Sequence, residues 1–218
     1  MPVGWQTVTD SGVVQIDQDT KCYQLVTKGS GTFNSIVPME GGGGYAVITV
    51  TNAVAPLLAI QFTTPGGHAV RKIHVSGTTW NYYISGAYGE GFTYYVFDHV
   101  TTLVENFGLA IYDAAGVLAF QSGGKPMRIV GNGPGTYAGG RTYAAVCLEF
   151  RTVFASMESE DVPGDYLFDY YAYGPAQDAN VFAHGTVGIS AGDTTGAIGW
   201  SDWDDTPAGF LVVDVTNY

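Results

Sequence analysis

The sequence contains few charged residues, and most of these are acidic. Charged side chains make up 13% of the 218 residues, and only 8 of them are Lys or Arg against 20 Asp or Glu. A formal net charge of −12 leaves no basic surface that could neutralise phosphates, which argues against direct nucleic-acid binding. Because 46% of the residues are hydrophobic, the chain nevertheless has the material for an ordered core.

Long apolar runs are also missing. Residues 1–6 have neither the basic flank nor the apolar run of a secretory signal. The run from Ala53 to Ile60 contains Pro56 and is too short to cross a bilayer. The sequence therefore predicts a soluble product that is made in the cytoplasm and is not inserted in a membrane.

No catalytic or metal-binding signature is present. The glycines at 41–44 are not followed by the Lys-Ser or Lys-Thr of a phosphate loop, and no Gly-x-Ser-x-Gly elbow occurs. The four histidines, His68, His74, His99 and His184, lack the spacing of zinc ligands. We expect no metal, no cofactor and no enzymatic activity, although a hydrolase built from residues distant in sequence stays open.

The residues that are abundant favour strands and tight turns. The chain has 31 Gly and 15 Tyr together with many Thr and Val, and hardly any window has a helical period. This composition predicts an all-β fold.

An internal repeat organises the sequence. Residues 4–32 align without a gap on residues 108–136, at an offset of 104. Identical pairs are Gly4/Gly108, Gly12/Gly116, Val13/Val117, Lys21/Lys125, Val26/Val130, Gly29/Gly133, Gly31/Gly135 and Thr32/Thr136. Eight identities in 29 aligned positions exceed the roughly two expected from average composition. We therefore expect two tandem β-sandwich lobes, an N-terminal lobe at 1–104 and a C-terminal lobe at 105–218.

Each repeat copy predicts a hairpin followed by a third strand. Gly12 and Gly116 occupy the same place in the two hairpin turns, where a positive φ suits glycine. The third strands, 22–26 and 127–130, are expected to end at the glycine pairs that follow them. Cys22 and Cys147 are not equivalent in the repeat, so two buried thiols are favoured over a disulfide between the lobes.

Later segments carry weaker signals. Residues 143–154 form a long apolar run in which a helix is possible, although its Thr, Val, Cys and Phe residues favour one central strand. Pro175, the pair Gly192 and Asp193, and Pro207 are expected to break strands in the second lobe.

Two aromatic segments are candidates for contact with a ligand. In the hexapeptide 200–205, two Trp rings beside carboxylates could stack on a sugar or hold calcium, or the segment is a loop that pins one Trp in the core. A second segment places Trp80, Tyr82 and Tyr83 on one strand, where alternate rings face opposite sides. The candidate receptor or glycan contacts are Trp200, Asp202, Trp203, Asp204, Asp205, Trp80 and Tyr82.

The phrases at residues 4–17 and 107–116, with Tyr94-Tyr95-Val96-Phe97-Asp98, resemble a type of tail protein found in tailed bacteriophages of Gram-negative bacteria. The likeness covers about a third of the chain and consists of turns and strand ends. It implies a virion structural protein of the distal tail, a tip, fibre or receptor-binding component that is assembled in the host cytoplasm. Its implied partners are further copies of itself in a trimer, other tail proteins, and a glycan or protein of the host surface.

Two other classes compete with this interpretation. A carbohydrate-binding module or β-lectin would use Trp200, Trp203 and Trp80 as a platform. An enzyme, either a depolymerase or a lysin, ranks third.

Overall fold

The computed structural model describes residues 6–8, 14–17, 21–36, 43–62, 64–103, 107–158, 165–195 and 208–218. Within these ranges the chain forms antiparallel sheets and no helix, as the composition predicts, and none of the sheets closes into a barrel. The strands are β1 (Gln6–Val8), β2 (Val14–Asp17), β3 (Tyr23–Thr32), β4 (Ser35–Ile36), β5 (Gly44–Val50), β6 (Leu57–Phe62), β7 (Gly66–Gly67), β8 (Ala69–Ser76), β9 (Thr79–Gly86), β10 (Gly91–His99), β11 (Ala110–Tyr112), β12 (Leu118–Gln121), β13 (Arg128–Asn132), β14 (Gly135–Thr136), β15 (Tyr143–Cys147), β16 (Arg151–Glu158), β17 (Asp165–Asp178), β18 (Val181–Thr195) and β19 (Phe210–Asp214).

The largest sheet takes strands from both halves of the chain. Its six strands follow the order β13-β19-β15-β6-β10-β3, and all neighbours are antiparallel. The halves meet where β6 pairs with β15, with Ile60 opposite Ala145 and Ala59 opposite Val146. These four side chains are almost fully buried, so the junction between the halves is part of the core.

Two smaller sheets accompany the central one. Strands from the first half form a four-stranded sheet in the order β4-β5-β9-β8. Strands from the second half form a five-stranded sheet in which β14-β18-β17-β16 are neighbours and β7 pairs with β17. Strand β7 thereby links the first half to the sheet of the second.

The two faces of the central sheet contribute to different core clusters. Alternate residues of β6 and β10, including Ile60, Phe62 and Phe92, pack with the four-stranded sheet. The residues between them, such as Ala59 and Phe97, join a second cluster that includes side chains of β15 and β19. Because both faces are covered there, the four inner strands β19, β15, β6 and β10 are rich in apolar residues on both sides.

Two hairpins lie outside these sheets, and their pairings correspond. In the first, Gln6, Thr7 and Val8 lie opposite Asp17, Ile16 and Val14. In the second, Ala110, Ile111 and Tyr112 lie opposite Gln121, Phe120 and Leu118. Each pair is shifted by 104 residues, and each hairpin has a register shift at the same place.

The turn of the second hairpin confirms the role predicted for Gly116. Its φ is +78°, in the left-handed region that disfavours a side chain. The Asp113 carboxylate closes the turn by accepting hydrogen bonds from the backbone N–H groups of Ala115 and Val117, at 2.9 and 2.8 Å. Gly12, its counterpart in the first hairpin, lies outside the described residues.

The strand end predicted for the first repeat copy is wrong. Strand β3 continues through Gly29 and Gly31 to Thr32, because the rings of Tyr94 and Phe92 on β10 cover these glycines from the neighbouring strand. In the second copy β13 does end before Gly133, whose φ is +75°. The same glycine pattern therefore serves a continuous strand in one copy and a break in the other.

Pro175, Gly192 and Asp193 do not interrupt their strands. Pro175 lies within β17, opposite His184, and its carbonyl accepts a hydrogen bond from the backbone N–H of His68 at 3.1 Å. Gly192 and Asp193 lie within β18 and pair with β17. Long antiparallel pairing overrides the local turn preference of these residues. Pro207 lies outside the described residues.

The apolar run at 143–154 forms two strands where one was predicted. Its first part, β15, is a central strand between β19 and β6, and its second part, β16, belongs to the five-stranded sheet. The backbone N–H of Leu148 between them bonds to the carbonyl of Gly209 at 3.0 Å. Cys22 and Cys147 are not joined by a disulfide, and both are half-buried, not fully buried as predicted. Burial raises the pKa of the Cys147 thiol to about 12.

Candidate functional site

The outer face of the four-stranded sheet is the candidate site. Side chains at even positions of β5 and β9, such as Ile48, Tyr82 and Ile84, pack in the core. The odd positions therefore point away from it. Three cross-strand rows lie on this side of the sheet: Tyr45, Ser85 and Ala69; Val47, Tyr83 and Arg71; and Thr49, Asn81 and Ile73. Ala69 is fully buried, and we call the other eight residues the sheet face.

The middle row gives the sheet face its exposed apolar surface. Val47 is 45% exposed and Tyr83 is 38% exposed, and Arg71 beside them is also exposed. In the next row the hydroxyl of Thr49 donates a hydrogen bond to the side-chain oxygen of Asn81, at 2.9 Å. Among these side chains, tyrosine and arginine are enriched at protein interfaces.

The sheet face carries no carboxylate. Residues 41–89, which include β5, β8 and β9, contain no Asp or Glu, although the chain has 20 of them. The only formal charge on the sheet face is the positive one of Arg71. The charge of the sheet face is therefore positive, whereas the formal net charge of the chain is −12.

Trp80 lies on the inner side of the same sheet, where other side chains cover it. The Lys72 ammonium is 4.2 Å from the centroid of a Trp80 ring, and the His74 ring lies 4.5 Å away. The indole Nε1 is buried without a hydrogen-bond partner. Trp80 is half-buried and packs against the core, so it does not present an open ring to a sugar.

Tyr82 is a core residue, with 2% of its surface exposed. Its hydroxyl donates a hydrogen bond to the carbonyl of Pro56, which also accepts one from the Lys72 ammonium at 2.5 Å. Burial raises the pKa of Tyr82, and the negative charge of Asp98 adds to this effect. The predicted alternation along β9 is confirmed, but the exposed ring is that of Tyr83.

A buried carboxylate organises the loop that precedes β6. Asp98 is 3% exposed and accepts hydrogen bonds from the backbone N–H groups of Val54 at 2.7 Å, Ala55 at 2.9 Å and His99 at 2.7 Å. Desolvation lowers the pKa of nearby Lys72, and the negative charge of Asp98 partly offsets this decrease. This cluster holds the inner side of the sheet in place and is not open to a ligand.

The remaining predicted contacts, Trp200, Asp202, Trp203, Asp204 and Asp205, lie outside the described residues. Among those that are described, no group of three or more His, Cys, Asp or Glu side chains is arranged to hold a metal ion. No helix in these ranges is long and apolar enough to cross a membrane.

Two features could not be found from the sequence pattern. The first is the sheet face itself, since the parity of β9 decides which tyrosine is exposed. The second is Phe107, which is 93% exposed beside a small pocket of about 70 Å³ lined by Leu103, Leu109 and Gln121 among others. In a chain with 14% aromatic residues, the local sequence does not show which phenylalanine will be exposed.

Comparison with protein-family models, with curated proteins and with solved structures gave no match. The site is therefore interpreted from its own geometry and charge.

Proposed function

We propose that the chain is a non-enzymatic structural component of a phage tail tip or fibre that contributes to host attachment. The observation that carries this proposal is the sheet face, an exposed, carboxylate-free surface around Val47, Tyr83 and Arg71. Flat apolar surfaces of this kind are typical of sites where proteins dock. The resemblance of the repeat phrases to phage tail proteins supplies the setting.

The correspondence between the two hairpins supports a duplicated origin. Each pair in the first hairpin has its counterpart 104 residues later, with the register shift at the same place. We infer that residues 4–32 and 108–136 descend from one ancestral unit, and that each copy begins one β-sandwich lobe, 1–104 or 105–218.

The strand order of the central sheet supports the same inference. From one edge to the middle the strands are β3, β10 and β6, and from the other edge they are β13, β19 and β15. In both sets the outer strand is the third strand of a repeat copy, and the next is the last strand of that half of the chain. The inner strands, β6 and β15, pair at the junction. An antiparallel junction between β6 and β15 relates the two sets by an approximate two-fold. Two lobes that share a sheet in this way would form one rigid building block for a larger assembly.

A carbohydrate-binding module is the second candidate, and one observation favours it. Tyr83 and Asn81 lie at alternate positions of β9, on the same face of the sheet. The ring of Tyr83 could stack on a sugar, and the amide of Asn81 could form hydrogen bonds with its hydroxyl groups. Trp80 does not serve this function because Lys72 and His74 cover it.

The direct test of the tail proposal is the composition of the particle. Mass spectrometry of phage particles purified from the source of this gene should detect the chain, and antibodies against it should label the distal end of the tail. A glycan panel with native protein separates the second candidate, since saturable binding that Tyr83→Ala abolishes would favour it. Purified particles without the chain would exclude a virion protein.

A further inference from the structure

Three of the 8 Lys and Arg side chains of the sequence lie around Tyr218. The Lys28 ammonium donates a hydrogen bond to the main-chain oxygen of Tyr218 at 2.8 Å. The Lys125 ammonium and the Arg128 guanidinium lie 5.8 and 4.6 Å from the centroid of the Tyr218 ring. A half-buried tyrosine is thus surrounded by cations in a chain that has few of them.

A fourth cation joins this group through a buried carboxylate. Asp214 is 1% exposed, and it pairs with Arg128 at 3.4 Å and with Arg141 at 2.5 Å. Half of all the cations of the sequence therefore lie in one region of the surface. We call Lys28, Lys125, Arg128 and Arg141 the basic cluster.

Pairing between distant segments brings the basic cluster together. The backbone N–H of Leu25 on β3 donates a hydrogen bond to the carbonyl of Lys125 at 2.8 Å. Three residues later, Arg128 pairs with Asp214 of β19. Residues 125–128 therefore connect β3 with β19 and place cations from both halves of the chain on one surface. The total charge of the sequence does not reveal this local excess of positive charge.

The basic cluster carries more positive charge than its surroundings neutralise. Within the part of the chain that the structure describes, Asp214 is the only carboxylate that forms an ion pair with any of its members. The side chains of Arg128 and Arg141 are 41% and 55% exposed, and Lys28 and Lys125 are exposed as well. Because like charges repel, an anion that lies between these side chains is attracted by all of them.

We propose that the basic cluster binds a carboxylated sugar chain of the host surface. The inference rests on the proposed role in host attachment and names the class of ligand. The planar guanidinium groups of Arg128 and Arg141 match the geometry of a carboxylate, and the ammonium groups of Lys28 and Lys125 add charge without a fixed direction.

The charge of the rest of the molecule selects a ligand with widely spaced anions. A chain with a formal net charge of −12 repels a dense polyanion, and DNA carries one negative charge per about 1.7 Å of its axis. A sugar chain in which neutral sugars separate the carboxylates can place single anions at the basic cluster while little of its charge meets the acidic remainder of the surface.

A folded protein fits the basic cluster less well than a hydrated polymer does. The cores of protein interfaces are depleted of charged residues, lysine among them. The basic cluster consists of four charged side chains around one half-buried ring, whereas the exposed apolar surface of Val47 and Tyr83 belongs to the sheet face. The two surfaces therefore suit different ligands.

Isothermal titration calorimetry of the full chain with a hyaluronate oligosaccharide tests the proposal. Every second sugar of this probe carries a carboxylate, and its methyl ester is the neutral counterpart. The wild type should bind the acid at about 50 mM salt and more weakly as the salt concentration rises, since screening weakens charge pairs. It should not bind the methyl ester.

Lys28→Gln and Lys125→Gln remove exposed charges that form no ion pair among the described residues, so both variants should fold. We expect each to raise the dissociation constant about threefold, and the double variant about tenfold. Lys21→Gln is the matched control, because Lys21 is the repeat counterpart of Lys125 and is exposed but lies outside the basic cluster. It should stay within about twofold of the wild type.

Three results would overturn the proposal. They are no binding of the acid at low salt, equal binding of the methyl ester, and equal dissociation constants for Lys125→Gln and Lys21→Gln. Tighter binding of polyglutamate or single-stranded DNA at equal charge concentration would also overturn it, because the ligand would then be an acidic protein or a nucleic acid. The particle test of the proposed function is independent, since a chain that binds no acidic sugar can still be found in the tail.

Discussion

Phe33 shows how single residues fix the position of the four-stranded sheet. Its side chain is fully buried, and its ring lies 4.7 Å from that of Phe92 on the central sheet. Gly44 and Gly86 lie opposite each other on β5 and β9 and leave a notch that Phe33 fills. A Cβ at Gly86 would lie 2.4 Å from the Phe33 ring, so only glycine fits there.

Gly86→Ala should therefore destabilise the protein by about 1–3 kcal/mol, because the buried ring cannot move aside freely. The measurement is the free energy of unfolding in urea. Gly139→Ala is the control, since nothing lies within 4 Å of a Cβ at that position. Equal losses of stability for the two variants would contradict the claim that Gly86 makes room for the Phe33 ring.

His68 is the least expected residue of the interior. It is fully buried, its ring lies 5.2 Å from that of Phe62, and both ring nitrogens lack hydrogen-bond partners. On its other side lie Gly174 and Pro175 of β17, which have no titratable side chain. Along this edge, the carboxylate of Glu90 packs against Gly66. Burial lowers the pKa of His68 to about 3.

This residue should make folding sensitive to acid. A folded-state pKa below the ordinary 6.5 means that the unfolded chain binds the proton more readily. The free energy of unfolding is therefore not reduced by His68 above about pH 6.5, and it decreases as the pH falls from 6.5 toward 3. The expected slope is about 1.4 kcal/mol per pH unit in the middle of this window.

Melting curves of wild type and His68→Phe between pH 7 and 4.5 measure this effect. The variant should lose less stability over that range than the wild type, by about 2–3 kcal/mol. His184→Gln, which changes an exposed histidine opposite Pro175, should retain the wild-type slope. Parallel curves for wild type and His68→Phe would show that His68 is not responsible.

At the scale of elements, the second hairpin depends on the conformation of Gly116. Nothing lies within 4 Å of a Cβ at this position, so the cost of a side chain there comes from the backbone alone. Gly116→Ala should cost about 1–2 kcal/mol, the usual penalty of the left-handed region. Gly116→Asn should cost less, because Asn tolerates that region better. Thermal unfolding that ranks Asn below Ala would refute this explanation.

Local sequence predicts most strands, because their positions follow from β-branched and aromatic runs between turn residues. It fails where pairing with a distant strand decides the outcome. Gly29 stays in β3 because Tyr94 covers it, and Pro175 stays in β17 because its carbonyl, not its missing N–H, makes the contact with His68. Neither partner is near in sequence.

At the scale of the whole molecule, the repeat predicts two similar lobes, but it cannot predict a central sheet that takes strands from both halves of the chain. That sheet depends on β6 meeting β15, strands about 80 residues apart that belong to no aligned copy. The exposed face could not be predicted either, since neighbouring tyrosines at 82 and 83 have equal propensity and opposite burial. Burial of one face is a property of the assembled sheets.

The distribution of charge acts at this same scale. A chain with few cations places Arg71 on a surface without carboxylates, while most of its negative charge lies in residues 149–214.

A photo-reactive amino acid at position 47 tests most directly whether the sheet face docks another protein. After illumination of purified particles that carry this variant, mass spectrometry should find position 47 joined to a second protein chain. Cross-links only within one chain would contradict a docking function of the sheet face.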